Sequence, residues 1–217
     1  EEIPHTSGGI TWANDNKTVF FSKKDSTLRP YKILSYELGT RKTGVVYEES
    51  DPTFRTYVTK TKSGKYLLIG SSSTMATEYR ILDADNPAGE FQLFEARHDD
   101  MLYYIDHFED KFYIRTNLDA KNFRLMETPV NKTESENWRE VVAHRSDVLL
   151  EGFELFNNYL VLQERKRGLN HLRIISQSSG EEHYVDFGEE TYTAYIGTNK
   201  EFDTDILRFG YTSLTTP

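Results

Sequence analysis

The 217-residue sequence contains no cysteine, which excludes a disulfide scaffold, a cysteine-ligated zinc or iron–sulfur centre, and thiol catalysis within it. It has no apolar run near the roughly 18 residues that cross a bilayer as a helix. Its first residues, Glu1-Glu2-Ile3-Pro4, carry neither the basic nor the apolar stretch of a signal peptide. Positive charge is in deficit: 26 Lys and Arg stand against 35 Asp and Glu, a formal net charge of −9. Binding to nucleic acid normally needs clustered cations that displace counterions, so neither a nucleic-acid nor a membrane partner is expected. Cationic partners suit this balance better. Aromatics are plentiful, with 14 Tyr, 13 Phe and 2 Trp, enough to build a core and to exclude wholesale disorder. A first residue other than Met, and a last, Pro217, with no stop signal before it, read as a segment of a longer protein.

Short β-rich clusters, each led by turn residues, recur along the chain. Their centres are Val19, Leu67, Tyr113, Val161 and Leu207, at separations of 48, 46, 48 and 46 residues. A period of roughly 40–50 residues is that of propeller blades. Each cluster is followed by an apolar-basic-apolar-apolar segment: Tyr31-Lys32-Ile33-Leu34, Tyr79-Arg80-Ile81-Leu82, Phe123-Arg124-Leu125-Met126 and Leu172-Arg173-Ile174-Ile175. The alternation sends the basic residue to the face opposite its neighbours, as on a half-exposed strand. One further strand precedes each cluster and another closes each period. The reading is all-β: four four-stranded antiparallel blades at roughly 10–50, 54–97, 101–145 and 150–188, and an incomplete blade at 191–217. An open solenoid or a two-sheet sandwich is the alternative. Unpaired strand edges in such a fragment lead us to expect self-association.

Candidate chemistry is sparse. Gly70-Ser71-Ser72-Ser73-Thr74 is the nearest approach to a hydrolase serine elbow, but it lacks the second glycine and no helix pattern follows, so it reads as a polar loop. The histidines, His5, His98, His107, His144, His171 and His183, are scattered, and neighbours such as Asp106-His107 point to opposite faces of a strand. The carboxylate groups Asp83-Ala84-Asp85, Asp99-Asp100 and Asp203-Thr204-Asp205 lack the ligand run of a calcium loop. Arg165-Lys166-Arg167-Gly168 reads as a solvated hairpin, and the sequons at Asn16 and Asn131 as exposed turns. No catalytic, substrate-binding or metal-ligating residue is assigned, and no cofactor is expected.

Several stretches resemble a known family: Trp12-Ala13-Asn14-Asp15-Asn16, Leu28-Arg29-Pro30-Tyr31, Ile69-Gly70-Ser71-Ser72-Ser73-Thr74, Phe112-Tyr113-Ile114-Arg115-Thr116-Asn117, Phe153-Glu154-Leu155-Phe156, Glu201-Phe202-Asp203-Thr204-Asp205 and Tyr211-Thr212-Ser213-Leu214-Thr215-Thr216-Pro217. They look like the propeller of the oligopeptidase B (protease II) group of the prolyl oligopeptidase family of serine peptidases. The resemblance runs essentially end to end. It implies a cytoplasmic parent in which a seven-bladed propeller covers a C-terminal α/β-hydrolase domain that cleaves short peptides after Lys or Arg. It also implies that the catalytic Ser, Asp and His lie in that hydrolase domain, which this segment lacks, so that the segment alone is inactive. A free-standing propeller that binds a protein or peptide is the other functional reading.

Overall fold

The structure, a computed structural model, describes residues 4–40 and 42–216. Glu1 to Ile3 and Pro217, which entered the reading of the two ends, lie outside the described residues, as does Arg41. The chain divides into two compact units: Glu1–Ile114 with Glu127–Arg139, and Arg115–Met126 with Glu140–Pro217.

The described residues form an all-β meander. β1 (Thr6–Trp12), β2 (Thr18–Lys24), β3 (Pro30–Glu37) and β4 (Lys42–Glu48) make the first sheet in chain order. β5 (Arg55–Lys60), β6 (Tyr66–Ser72), β7 (Thr77–Asp83) and β8 (Gln92–Glu95) make the second. The third holds β9 (Tyr103–Phe108), β10 (Lys111–Thr116), β11 (Arg124–Pro129) and β12 (Arg139–Val142), and the fourth β13 (Leu149–Leu155), β14 (Tyr159–Lys166), β15 (Leu169–Ser176) and β16 (Glu182–Tyr184). β17 (Tyr192–Ile196) and β18 (Phe209–Ser213) form a two-stranded sheet. Four-stranded antiparallel meanders in series are the blades of a propeller. The only helical piece among the described residues is a single 3₁₀ turn, Ser135–Asn137.

Turn chemistry sets the registers. Between β1 and β2, Asp15 Oδ1 accepts the backbone N–H groups of Lys17 (2.9 Å) and Thr18 (2.8 Å), while Asn16 takes a positive φ of 56°. Between β14 and β15, Arg167 and Gly168 both have positive φ (51° and 86°), the two-residue hairpin whose twist matches its strands. The basic run is therefore a hairpin, with Arg165 paired to Glu151 at 2.6 Å and Lys166 to Asp147 at 2.9 Å.

In the first unit, Phe20, Ile33, Leu67, Ile69 and Leu82 close a core between the first two sheets, and Phe91 meets Phe20 edge-on at 5.7 Å. A second, aromatic cluster centres on Phe94, which contacts Tyr103, Phe112 and Trp138. In the second unit, Leu150, Leu155, Leu160, Leu162 and Leu172 are buried. At ~25 cal/mol per Å² of apolar surface, each fully buried Leu or Phe stabilises by about 1.5–3 kcal/mol.

The fifth turn-led cluster does not form a strand where its sequence places one. Leu207 lies outside any strand, and β18 starts at Phe209, opposite Ile196. Asn199 explains the shift: its amide donates to the carbonyls of Gly197 and Arg208 (3.0 Å each) and its Oδ1 accepts the Arg208 N–H (2.7 Å). The side chain thus holds the Arg208 N–H, while the Arg208 carbonyl also accepts the Gly197 N–H at 2.9 Å, and regular pairing begins only at Phe209.

Candidate functional site: charge clusters at the strand connections

The last strand of each four-stranded sheet, its outer strand, leads to the first strand of the next sheet through an irregular connection. Glu49, Arg97 and Arg145 stand in three successive connections, each 48 residues after the last. All three enter networks built on a nearly inaccessible carboxylate.

In the first unit that carboxylate is Glu49, 4% exposed. It accepts hydrogen bonds from Arg97 Nη2 (2.6 Å), the Ser71 hydroxyl (2.5 Å), the Tyr47 hydroxyl (2.9 Å) and the Asp51 backbone N–H (3.0 Å). Strand parity aims Ser71, on β6, at the connection, and Tyr47 reaches it from the end of β4. Arg97 also directs Nε to Glu78 Oε2 at 3.4 Å, and its guanidinium lies over the Phe54 ring, 3.8 Å from the centroid. Glu78, on β7, takes Arg80 Nη2 at 3.0 Å. Arg29 holds the same connection from the turn before β3, donating from Nη1 to the carbonyls of Asp51 (2.8 Å) and Phe54 (2.9 Å). Burial by itself would raise the Glu49 pKa, but Arg97, Ser71, Asp51 and Tyr47 together outweigh it and hold the carboxyl down to about 2. The Arg97 pKa, which burial would lower, is raised by the same carboxylates.

In the second unit the buried carboxylate is Glu164, on β14, 2% exposed. It accepts from Arg145 Nη2, from Arg173 Nη1 at 3.3 Å and from the Tyr184 hydroxyl at 2.7 Å. Arg173 also pairs with Glu182 on the adjacent outer strand. The basic residues of the apolar-basic-apolar-apolar segments recur in this role: Lys32 reaches Glu48 at 2.9 Å and Arg124 reaches Glu140 at 3.5 Å.

These clusters lack a catalytic arrangement. Ser71 and Tyr47 both place a hydroxyl against buried Glu49, but Glu49, held at about 2, has almost no proton affinity near neutral pH. Each carboxylate is already matched by a guanidinium, so the clusters tie connections to sheets.

The residues singled out in the sequence are spread apart. Gly70 to Ser72 belong to β6 itself rather than to a loop, because their backbones pair with Arg55 to Tyr57; within this stretch the chain turns only at Ser73 and Thr74, the Ser73 hydroxyl receiving the Ala76 N–H at 3.1 Å. His98 lies 2.8 Å from Glu95, His171 3.2 Å from the Tyr192 hydroxyl, and His107 2.9 Å from the Ser63 hydroxyl. His5 and His183 are exposed. Asp83 and Asp85 serve turns, Asp83 accepting the Asp85 N–H at 2.9 Å and Asp85 the Asn14 amide at 2.8 Å. Asp99, Asp100, Asp203 and Asp205 lie in irregular segments and all four are exposed. Among the described residues no three His, Asp or Glu side chains are placed to hold a metal ion. Sequence reasoning missed Glu49, Glu78, Arg97, Arg145 and Glu164, and the 48-residue spacing of charges just past each outer strand was the available signal.

Comparison with known proteins places this geometry in context. The profile of the family described as "Prolyl oligopeptidase, N-terminal beta-propeller domain" matches residues 1–217. Dipeptidyl aminopeptidase BI of Pseudoxanthomonas mexicana is 36% identical over 221 residues, covering 100% of this chain and 30% of the relative. Protease 2 of Moraxella lacunata is 30% identical over 212 residues, covering 97% of this chain and 30% of the relative. Among solved structures, oligopeptidase B from Leishmania major superposes with a TM-score of 0.88 at 26% identity, covering 98% of this chain and 32% of its own. The chain thus spans less than a third of the length of these relatives.

Proposed function

Because the chain belongs to the prolyl oligopeptidase family, through its N-terminal β-propeller domain, we propose that it is part of the substrate-gating propeller of a serine oligopeptidase. The single observation that carries this reading is the family match over the whole chain, by a segment spanning 30% of its curated relatives. The Ser, Asp and His of catalysis then come from a C-terminal α/β-hydrolase domain outside these 217 residues. The propeller's part is to admit short peptides and exclude folded proteins, and the preferred cleavage follows Lys or Arg. Release of dipeptides from a free amino terminus is a second reading, favoured by the 36% identity to a protein named dipeptidyl aminopeptidase.

Two chromogenic substrates separate the readings in the full-length protein: an amino-blocked peptide ending in an Arg anilide, and a dipeptide anilide with a free amino terminus. Hydrolysis of the blocked substrate is the expected result. Hydrolysis of the unblocked one alone supports dipeptide release, and hydrolysis of neither, at any peptide length, removes the peptidase reading.

The net charge of −9 adds a further expectation. An acidic surface raises the local concentration of cationic peptides, and salt screens that attraction over a Debye length of about 8 Å at physiological ionic strength. The kcat/KM for Arg and Lys peptides falls about tenfold from low to high salt, while that for a neutral peptide stays level. A salt-independent kcat/KM for the cationic peptide would remove the steering component and leave size exclusion intact.

A further inference from the structure

His107, on β9, is 2% exposed and packed edge-on against Tyr66 (ring centroids 4.8 Å apart) and Phe112 (5.2 Å). Its Nδ1 lies 2.9 Å from the Ser63 hydroxyl, in the turn between β5 and β6. Its Nε2 is sealed without a hydrogen-bond partner. The adjacent Asp106 reaches the same turn, Oδ1 accepting the Lys62 N–H at 2.9 Å and the His107 N–H at 2.8 Å. Two consecutive residues of β9 therefore hold the 61–65 turn of the neighbouring sheet, all within the first unit.

This site fits a neutral imidazole. In either tautomer one ring nitrogen shares a bond with Ser63 and the other stays dry. An imidazolium carries two N–H donors and a charge, and the second donor meets no acceptor, a costly combination in a buried site. The charged groups around it are Lys62 and Lys65 on the turn, Asp106 beside it on β9, and Glu109 and Asp110 in the turn before β10; Tyr66 is the titratable group of β6 against the ring. Burial first, then Lys65, hold the His107 pKa down to about 4, with Asp110 and the Glu109 backbone pulling weakly the other way. Burial pushes Asp106 up.

We propose that His107 is an acid-operated latch. Protonation drives the imidazole out from between Tyr66 and Phe112, breaks the Ser63 contact and frees the 61–65 turn from β9, while the sheets stay paired. The closed form of a base with a depressed pKa binds fewer protons than the open form. Opening therefore grows as pH falls below the open-state value of 6.5 and levels off below about 4. Asp106 has the opposite sign: its raised pKa makes acid favour the closed form, so it does not mimic the latch. From pH 7.5 to pH 5 the opening equilibrium rises about 30-fold.

Hydrogen–deuterium exchange of the full-length protein at these two pH values, corrected for the intrinsic pH dependence of exchange, reads this directly. The Lys62 amide is expected to lose about 30-fold in protection, with β2 and β3 unchanged. In His107→Phe its protection is expected to be independent of pH. An unchanged Lys62 amide in the wild type, equal acid loss in His107→Phe, or loss spread evenly over all sheets overturns the proposal. Should the variant not fold, titration of the wild-type His107 ring by NMR decides: a pKa of about 6 or above removes the latch.

Discussion

Gly70→Ala is expected to lower the unfolding free energy by about 3 kcal/mol, and Tm by about 6–12 °C, larger than usual for one added methyl group. Gly70 lies directly across the β5–β6 ladder from Tyr57, whose ring covers it. A Cβ there would sit 2.3 Å from Tyr57 Cζ and 2.6 Å from its hydroxyl oxygen. The ring has no free route away, because its hydroxyl bonds the buried Tyr79 hydroxyl at 2.7 Å. Tyr103 continues the chain, accepting the Tyr79 N–H at 2.8 Å and donating to the Glu95 carbonyl at 2.7 Å. Displacing Tyr57 strands the Tyr79 hydroxyl in a desolvated site, which costs about 1–3 kcal/mol beyond the steric strain. The matching pair, Tyr195 over Gly210, has nearly the same approach of 2.2 Å, but Tyr195 is 52% exposed and can swing into solvent. Gly210→Ala should therefore cost no more than about 1 kcal/mol. Denaturant unfolding of both variants checks the contrast, and Tyr57→Ala/Gly70→Ala should be less destabilised than the sum of its singles by about 1 kcal/mol or more. Equal, small losses at Gly70 and Gly210 would show that the ring over Gly70 moves freely.

Arg97→Met is expected to cost about 3–5 kcal/mol at pH 7, because it leaves Glu49 and Glu78 buried without their shared cation. Arg97→Lys should recover only part of this. One ammonium does not span both carboxylates, and it loses the planar stack on Phe54. The pH dependence identifies the cause. In the wild type the Glu49 carboxyl is held at about 2, below its reference value of 4.5, so its contribution is complete above 4.5 and is lost as pH falls through 2. Without Arg97, burial dominates, the carboxyl titrates higher, and the deficit of the variant shrinks between pH 7 and pH 4. Urea titrations at the two pH values measure this, and Glu49→Gln/Arg97→Met should be more stable than Arg97→Met alone at pH 7. A deficit equal at both pH values would mean that lost packing on Phe54, rather than uncompensated charge, sets the cost.

The strands were readable where the information is local. Val19, Leu67, Tyr113 and Val161 fall inside β2, β6, β10 and β14, each in a short apolar run behind a turn with a positive-φ residue or an Asn pair. Leu207 broke the pattern because Asn199, eight residues earlier, captures the backbone of Arg208, a contact that no periodicity encodes. Gly70 to Ser72 read as loop because small polar residues suit turns, whereas in β6 Gly70 makes room for Tyr57. The charge clusters were hidden for the same reason: Glu49 meets Ser71 and Arg97 across 22 and 48 residues of chain. Their repeat was visible only as charges 48 residues apart.

One measurement on the full-length protein bears most directly on the gated-peptidase reading: labelling with a fluorophosphonate, followed by cleavage of one Arg-containing sequence presented first as a short peptide and then within a long unfolded protein. The expected result is one labelled serine per chain, cleavage of the short peptide after Arg that labelling abolishes, and at least about tenfold slower cleavage of the long chain. No labelling, or equal cleavage of both substrates, would contradict a propeller that gates a serine peptidase.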